Sequence, residues 1–547
     1  MKKRISLFII LIFFTSVISM STNAVQGQTR YSMDFWYSPS HYGSEEADVA
    51  DLIASQLEDT GFFDVNIKSA EWSQYVEQFT TMGFFLLGWW FDYPDPSNYI
   101  DPFVGSGAFS LGTNYSDSTM DGYINTMLTN TDLNAREQAQ KDAQNLMAED
   151  VPVVPLFSMI KQFSGYQSSI SGYNLEPSEN VHYNTITDSS NDPQIVIGTT
   201  DSISKLDPAD AYDYFSSNTL VQITHGLMEM PKDSTTAQLG PIASAVNVNA
   251  AATEYNFTLK EGIQFSDGTP FNATAMKWNI DRVLHLDNTT GTDPGFLLSS
   301  VVDSVEVYNE TLLGFHLSSP DATFLQRLTY TVAWPVSPNS LSYDEVQGQP
   351  ESIPAGLGPY KITSWTANNE LILEPNTNYF GDAPANNKVV INFYSDASAL
   401  LTALENNQVD IAQKQFGAAE INSIKDNSNL KFKEKATAGI RYLVINVEAH
   451  PDKNVRQAIA AAVDRSEITQ TVFQGINSPL YSMVPDIFDS AIDAFSDGTA
   501  AQVSSLMNAA GYTGGTTEAA PFGTLATVVL TTISTAFVLN TLRRRKH

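Results

Sequence analysis

The chain has 547 residues, no cysteine and a formal net charge of −32, from 29 Lys and Arg against 61 Asp and Glu. The lack of cysteine excludes disulfides, thiolate metal sites and cysteine nucleophiles. So acidic a surface would repel nucleic acid and anionic lipid, and we expect no nucleic-acid partner.

The first 24 residues have the pattern of a secretory signal peptide. Basic residues at 2–4 precede an apolar run at 5–20, and small residues follow up to Ala24. The run is shorter than the roughly 20 apolar residues that a spanning helix needs. We therefore predict residues 1–24 as a signal peptide cleaved after Ala24. Cleavage after Gly27 and an uncleaved anchor are the alternatives.

Strand and helix patterns alternate in the next part of the chain. Helical periodicity covers 47–57 and 134–149, and strand patterns cover 63–67 and 84–90. The run at 84–90 is continuously apolar, which favours a strand buried on both faces. It opens into Phe91-Asp92-Tyr93-Pro94-Asp95-Pro96, which the two prolines force into a loop.

After a polar stretch at 177–193, strands become more frequent. Predicted strands cover 194–198, 255–259, 304–308, 371–373, 389–394, 409–411 and 442–447. Predicted helices cover 215–226, 273–284, 397–405 and 455–463. Strands and helices alternate at both ends of the folded region and strands dominate its middle, so we expect an α/β architecture with a β-rich part.

Five Asn-Xaa-Ser/Thr sequons mark candidate glycan acceptors in an exported chain. They begin at Asn114, Asn256, Asn272, Asn288 and Asn309. The chain is rich in Asn, Ser and Thr, and chance would supply several such motifs. On sequence alone they are therefore only weak markers of surface.

The C-terminus predicts a membrane anchor. Residues 521–542 carry no charge and 543–547 are basic. An uncharged segment of this length can cross the bilayer as one helix, with its basic flank in the cytoplasm. We predict a linker at 514–520, a transmembrane helix at 521–542 and a cytoplasmic tail at 543–547. A buried core helix, or a sorting tail that is cut off and replaced by a lipid, is the alternative.

Six motifs together indicate a family. They are Leu206-Asp207-Pro208, Phe265-Ser266-Asp267-Gly268-Thr269-Pro270, Gly356-Leu357-Gly358-Pro359-Tyr360, Val455-Arg456-Gln457-Ala458, Ala509-Ala510-Gly511-Tyr512 and Gly88-Trp89-Trp90-Phe91-Asp92-Tyr93-Pro94. In combination they resemble the family 5 extracellular solute-binding proteins, the peptide-binding components of ABC importers. Leu357 departs from the usual Thr of the family's GTGPY turn. The resemblance implies a two-lobed periplasmic-binding-protein-like fold of type II.

The order of the motifs departs from that family. Its last third comes first here, at 30–190, and its first two-thirds follow, at 193–513. We interpret the chain as a circular permutation, with a fusion of two incomplete proteins as the alternative. Exposed turns tolerate such rearrangement best. We expect lobe II to comprise 30–160 and 434–513, and lobe I to comprise 161–433 with a β-rich subdomain at about 227–380.

The resemblance implies a ligand site in the cleft between the lobes. In peptide-binding relatives the Asp at the position of Asp92 pairs with the α-ammonium of the ligand; a loop Asp that caps a turn is the alternative. Successive strand residues face opposite sides, and we expect Trp89 rather than Trp90 to face the cleft. For Arg456 a structural ion pair is favoured over a ligand carboxylate. The expected ligand-binding residues are Asp92, Trp89, Tyr93, Asp207, Ser217 and Asn218.

Enzyme motifs are lacking. The seven His are scattered without metal-ligand spacing, and there is no nucleophile elbow, P-loop or dinucleotide fingerprint. We expect no catalysis, cofactor or metal. The resemblance implies a protein that captures oligopeptides outside the cell and delivers them to an ABC permease. We expect a monomer, held at the extracellular face of the membrane by the predicted C-terminal helix. Binding of an oligosaccharide or another solute, and a non-transporting surface protein or degenerate fusion, are the alternatives.

Overall fold

Two large β-sheets, each covered by helices, organise the molecule. The computed structural model describes residues 29–515, with gaps at 40, 42–44, 108–110, 159–161, 177–179, 191–192, 233, 347–352 and 414–415. The mixed α/β class and the two-lobed arrangement that we predicted are confirmed.

The strands are β1 (Tyr31–Tyr37), β2 (Phe63–Ser69), β3 (Phe84–Trp89), β4 (Val153–Ser158), β5 (Gln162–Gln167), β6 (Ile170–Ser171), β7 (Thr187–Asp188), β8 (Gln194–Thr199), β9 (Met228–Glu229), β10 (Gln238–Leu239), β11 (Ala243–Val248), β12 (Glu254–Leu259), β13 (Val302–Asn309), β14 (Leu312–Leu317), β15 (Tyr360–Thr366), β16 (Glu370–Pro375), β17 (Lys388–Phe393), β18 (Ile411–Gln413), β19 (Leu430–Lys435) and β20 (Ile440–Ile445).

The α-helices are α1 (Glu46–Asp59), α2 (Trp72–Val76), α3 (Asp101–Val104), α4 (Ser118–Thr129), α5 (Leu133–Asp150), α6 (Tyr214–Ile223), α7 (Ala273–Thr290), α8 (Phe296–Ser299), α9 (Phe324–Arg327), α10 (Ala397–Glu405), α11 (Ala418–Asp426), α12 (Lys453–Ala462), α13 (Arg465–Thr471) and α14 (Ala500–Ala509). Short 3-10 helices cover Pro96–Tyr99, Tyr183–Thr185 and Thr331–Ala333.

The five-stranded sheet of lobe II has the order β2-β1-β3-β20-β4. Both of its faces are buried, which explains the continuous apolar run in β3. Phe84 and Leu86 pack into the core under α1, α12 and α14. Phe85 and Leu87 pack into the opposite core, under α4 and α5. Strand β20 lies between β3 and β4, so residues 440–445 complete a sheet whose other strands come from residues 31–158.

Lobe I contains a seven-stranded sheet of order β15-β16-β17-β8-β18-β5-β19 and a four-stranded antiparallel sheet of order β11-β12-β14-β13. In β8, Ile195 and Ile197 pack into a core with α6, and Val196 packs against the opposite core with α10 and α11. Helix α7 covers the four-stranded sheet through Met276, Ile280 and other apolar residues. The chain passes between the lobes from β4 to β5 and from β19 to β20.

One part of the β-rich subdomain is placed differently from our expectation. Strands β15 and β16 lie within the range 227–380, yet they join the edge of the seven-stranded sheet through β17. A two-stranded hairpin has the same alternating pattern in either sheet, so the pattern does not identify its partner. The exact lobe boundaries stay a prediction.

The predicted signal peptide at 1–24 and the predicted anchor at 521–542 lie outside the described residues. Within the part of the chain that the structure covers, no helix combines the length and apolar character needed to cross a membrane.

Candidate functional site

The loop that follows β3 is held firmly in lobe II. Asp95 caps the 3-10 helix Pro96–Tyr99 by accepting a hydrogen bond from its backbone. Arg136 on α5 donates to the second carboxylate oxygen of Asp95 at 2.5 Å, and both side chains are buried. Charge-assisted bonds between buried partners are strong, so the segment that carries Asp92 is fixed in position.

Asp92 lies in this loop and is only 8% exposed. Asn98 holds it through two bonds: its Nδ2 donates to Asp92 Oδ2 at 3.2 Å, and its Oδ1 accepts from the Asp92 backbone N–H at 2.8 Å. The hydroxyl of Tyr212, from lobe I, donates to Asp92 Oδ1. The carboxylate therefore lies at the contact between the lobes, with a hydrogen-bond donor from each.

Burial raises the pKa of Asp92 above its ordinary value. The hydrogen bonds from Tyr212 and Asn98, and the nearby charge of Arg327, oppose this rise by favouring the ionised form. Desolvation of the Tyr212 hydroxyl at this contact, together with the charge of Asp92, raises the pKa of that hydroxyl, so that Tyr212 stays a hydrogen-bond donor.

Helix α6 and the segment after α9 form the lobe I wall of the site. Asp213 caps α6 by accepting a hydrogen bond from Ser216 N at 2.9 Å. This cap fixes the backbone just before the helix, where Tyr212 lies. The hydroxyl of Tyr330 donates to the Tyr212 backbone oxygen at 3.2 Å and accepts from Ser217 Oγ at 3.4 Å. The two tyrosine rings lie 5.9 Å apart.

These two walls enclose a cavity of about 330 Å³. Its lining combines one carboxylate, several hydroxyl groups and a large share of aromatic rings. Such a lining suits recognition of an amine together with an apolar or aromatic group. It consists of Trp90, Phe91, Asp92 and Pro94 from lobe II and Asn180, Tyr212, Tyr214, Ser217, Met230, Thr329, Tyr330 and Thr331 from lobe I.

The orientation of the tryptophan pair is the reverse of our expectation. Trp90 lines the cavity. Trp89 turns the other way: its ring meets Phe103 edge-on at 5.3 Å and its indole N–H donates to Asn98 Oδ1 at 3.3 Å. Strand alternation does separate the two side chains, but it does not say which face of the sheet edge opens to the cleft.

Tyr93 bridges the lobes instead of lining the cavity. Its ring is 5% exposed and packs into the core of the four-stranded sheet in lobe I. The Arg327 guanidinium lies 4.4 Å from the ring centre, and burial raises the pKa of Tyr93 to about 12. Close by, Ala322 N donates to Leu128 O across the lobes at 2.7 Å. Tyr93 thus helps to hold the lobes together.

Asp207 and Asn218 have structural surroundings. Asp207 accepts two bonds from Arg282, at 2.8 and 2.6 Å, and both side chains are buried. Asn218 is fully buried and its Oδ1 accepts from Val181 N at 3.2 Å. Of the six residues expected from the sequence, the cavity brings together Asp92 and Ser217. Arg456 donates to backbone oxygens, including Asp150 O at 2.8 Å.

Sequence reasoning missed Trp90, Tyr212 and Tyr330. Tyr212 comes shortly after the Leu206-Asp207-Pro208 turn, and this nearness to a family motif was the one available signal. Tyr330 reaches the site from a part of the chain with no motif. Within the described ranges, no group of three or more acidic or His side chains is placed to hold a metal ion.

Comparison with known proteins adds independent findings. The family model described as bacterial extracellular solute-binding proteins, family 5 Middle, matches residues 22–110 and 239–538, which is more than half of the chain.

Curated relatives include the probable D,D-dipeptide-binding periplasmic protein DdpA of Escherichia coli, 28% identical over 305 residues that cover 53% of this chain and 57% of DdpA. The glutathione-binding protein GsiB of Pectobacterium atrosepticum is 25% identical, covering 55% of this chain and 57% of GsiB. The chain thus spans little more than half the length of these relatives. The solved structure of DppA from Helicobacter pylori with the peptide STSA has a TM-score of 0.47 and 18% identity, covering 58% of this chain and 66% of DppA.

Proposed function

Since the chain belongs to the bacterial extracellular solute-binding proteins of family 5, we propose that it captures short peptides outside the cell and delivers them to an ABC transporter permease. No bond is made or broken in this function. The observation that carries the proposal is the placement of Asp92, a buried carboxylate at the wall of a cavity between the lobes that several aromatic rings line.

Asp92 would bind the α-ammonium group of the peptide. A carboxylate in a site of low dielectric forms a strong charge-assisted bond to an amine. Tyr212 and Asn98 each donate one bond to Asp92, and a carboxylate can accept about four. The oxygens therefore retain capacity for a ligand amine.

The cavity volume supports a short ligand. About 330 Å³ lies near the lower limit of the roughly 300–1,000 Å³ typical of ligand sites. The rings of Trp90, Tyr212 and Tyr330 would pack against an apolar or aromatic side chain of that ligand. The names of DdpA and GsiB describe a D,D-dipeptide and glutathione as the ligands of those proteins, and both are short peptides.

Tryptophan fluorescence during titration with dipeptides and tripeptides tests this proposal. We expect saturable binding by the wild type and at least a tenfold loss in Asp92→Asn, because charge-assisted bonds contribute about 1.5–3 kcal/mol. Asp293→Asn is the matched control, since Asp293 is exposed, acts on Tyr212 through its charge and does not line the cavity. Equal peptide affinity in Asp92→Asn and wild type would remove the proposed role.

A response to oligosaccharides without a response to peptides would instead favour the sugar-binding alternative, because aromatic rings also stack on sugars. No saturable ligand of either class would favour a non-transporting surface protein.

We also propose that the chain is circularly permuted. The two ends of the described region meet: Gly515 N donates to Gly61 O at 2.9 Å, and the rings of Tyr31 and Tyr512 lie 5.3 Å apart. Such contact supports a fold in which these ends were once joined. A permuted chain can be aligned collinearly with an unpermuted relative over only one of its two blocks. The longer block, 193–513, is similar in length to the 305 residues matched in DdpA.

The predicted membrane attachment rests on the sequence. Residues 521–542 would anchor the protein as a single-pass membrane protein with both lobes on the extracellular face. Because Gly515 lies against lobe II, the tether would leave from that lobe. A short linker at 514–520 would then keep the cavity near a neighbouring permease.

A further inference from the structure

We infer that Asn309 is an N-glycosylation site of the exported protein, and that its selection over the other sequons follows from the local geometry of a hairpin turn. This modification is separate from the proposed ligand binding and requires only that the protein be exported from the cytoplasm. Asn309-Glu310-Thr311 forms the tip between β13 and β14, at the edge of the four-stranded sheet. Asn309 and Glu310 are exposed.

The turn arranges the two polar residues of the sequon toward each other. Thr311 N donates to Asn309 Oδ1 at 2.9 Å, and the Thr311 hydroxyl donates to the same oxygen at 3.2 Å. Both bonds end on the amide oxygen, so they fix the amide plane and leave the nitrogen uncommitted. Among the described residues, Asn309 Nδ2 makes no hydrogen bond. The nitrogen of the exposed Asn309 side chain, which would receive the glycan, is thus held in a fixed orientation.

Three other sequons lack this arrangement because their Asn side chains are engaged or partly buried. Asn114 Nδ2 donates to Glu448 Oε2 at 3.4 Å. Asn256 lies within β12, paired on both sides, and its Nδ2 donates to Glu254 Oε1 at 2.8 Å. Asn272 is half-buried and caps α7 through its Oδ1.

Asn288 is the closest comparison. It is exposed in the last turns of α7 and has the same Asn-Xaa-Thr chemistry. Its Thr290 hydroxyl, however, donates to the helix carbonyl of Leu286 at 2.7 Å instead of to Asn288. The two exposed sequons therefore differ in the geometry of the hydroxyl, which makes Asn288 a matched internal control.

The reaction would take its sugar from a lipid phosphate- or diphosphate-linked oligosaccharide. Asn309 Nδ2 attacks the anomeric carbon, a nitrogen–carbon bond forms, and the bond from that carbon to the phosphate oxygen breaks. The lipid phosphate leaves with the electron pair, and a base of the transferase takes one proton from Nδ2. The hairpin tip contributes no residue to the lining of the ligand cavity.

Mass spectrometry of proteolytic peptides from the protein purified from its native cells tests the inference. We expect a glycan on the Asn309 peptide at an occupancy well above that of Asn288. Asn309→Gln should remove the added mass, Thr311→Ser should retain it, and neither should change peptide affinity. An unmodified Asn309 in the native protein, or equal or greater occupancy at Asn288, would overturn the inference. The readout is independent of ligand binding, so its failure is distinguishable from failure of the proposed function.

Discussion

The protonation of Asp92 sets the pH range of the proposed ligand binding. The ammonium group of a peptide requires an ionised carboxylate, and burial raises the pKa of Asp92 in the folded protein. We expect affinity to be constant well above that raised pKa and to fall by up to tenfold per pH unit as the pH drops below it. The fall should begin at a higher pH than for an ordinary Asp.

Calorimetric titration over a pH series measures this profile, and Asp92→Asn should flatten it. A wild-type affinity that stays constant down to the ordinary pKa range of Asp would contradict the expectation.

Tyr212, from lobe I, also affects the pKa of Asp92. Its hydroxyl bond favours the ionised form of Asp92, so Tyr212→Phe should raise the pKa of Asp92 further and shift the binding profile toward higher pH. Tyr330→Phe is the control, since Tyr330 lines the same cavity and bonds to Tyr212 O. The same pH series on both variants checks this; an unshifted profile in Tyr212→Phe would show that its hydroxyl does not act on Asp92.

Single residues of the site were only partly predictable. Asp92 could be predicted because a family motif and two prolines mark its loop. The choice between Trp89 and Trp90 depends on which face of the sheet edge meets lobe I, and that is a tertiary property that the local pattern does not give. Asp207 belongs to a family motif, but its pairing with Arg282 spans 75 positions of the chain, and local pattern carries no information on such a contact.

Among the elements, α7 and the turn at Asp207 depend on one buried ion pair. Asp207→Asn would leave the Arg282 guanidinium buried without its counter-charge, and we expect a loss of about 3–5 kcal/mol in the free energy of unfolding. Asp281→Asn removes the partner of Lys277 on the same helix, but that pair is about one-third exposed and should cost less than about 1 kcal/mol.

Denaturant unfolding measures both changes, and peptide affinity should be retained by folded Asp207→Asn. Wild-type stability combined with lost affinity would instead assign Asp207 to the ligand site.

Helices and strands were the most predictable level of this molecule. The periodicity at 47–57, 134–149 and 397–405 reflects one buried face, and each became a helix. Element ends were less predictable: α7 continues to Thr290 and α6 ends at Ile223. Helix ends depend on caps and on tertiary contacts more than on apolar spacing. The sequence did not predict which sheet β15 and β16 join, because a two-stranded hairpin has the same alternating pattern in either sheet.

At the scale of the whole molecule, the proposed permutation predicts that the family's order of segments folds equally well. A rearranged chain would begin at Pro193, join residue 515 to residue 29 through a short Gly-Ser linker, and end at residue 190. Because the rings of Tyr31 and Tyr512, near the two residues to be joined, already lie 5.3 Å apart, we expect native-like circular dichroism, a melting temperature within a few degrees of that of the native order and the same peptide affinity. Aggregation of the rearranged chain, with a native-order control that stays folded, would favour a fusion of incomplete proteins.

Binding of one dipeptide with a free amine, compared with its N-acetylated form, tests the central claim most directly. Acetylation removes the positive charge of the amine and adds a two-carbon acyl group, so calorimetry on both the wild-type protein and Asp92→Asn separates the interaction with Asp92 from the effect of size. We predict saturable binding of the free dipeptide and at least a tenfold weaker affinity for the acetylated one. Equal affinity for the two peptides, or no binding of any free-amine peptide, would contradict the assignment of the cavity as a peptide site.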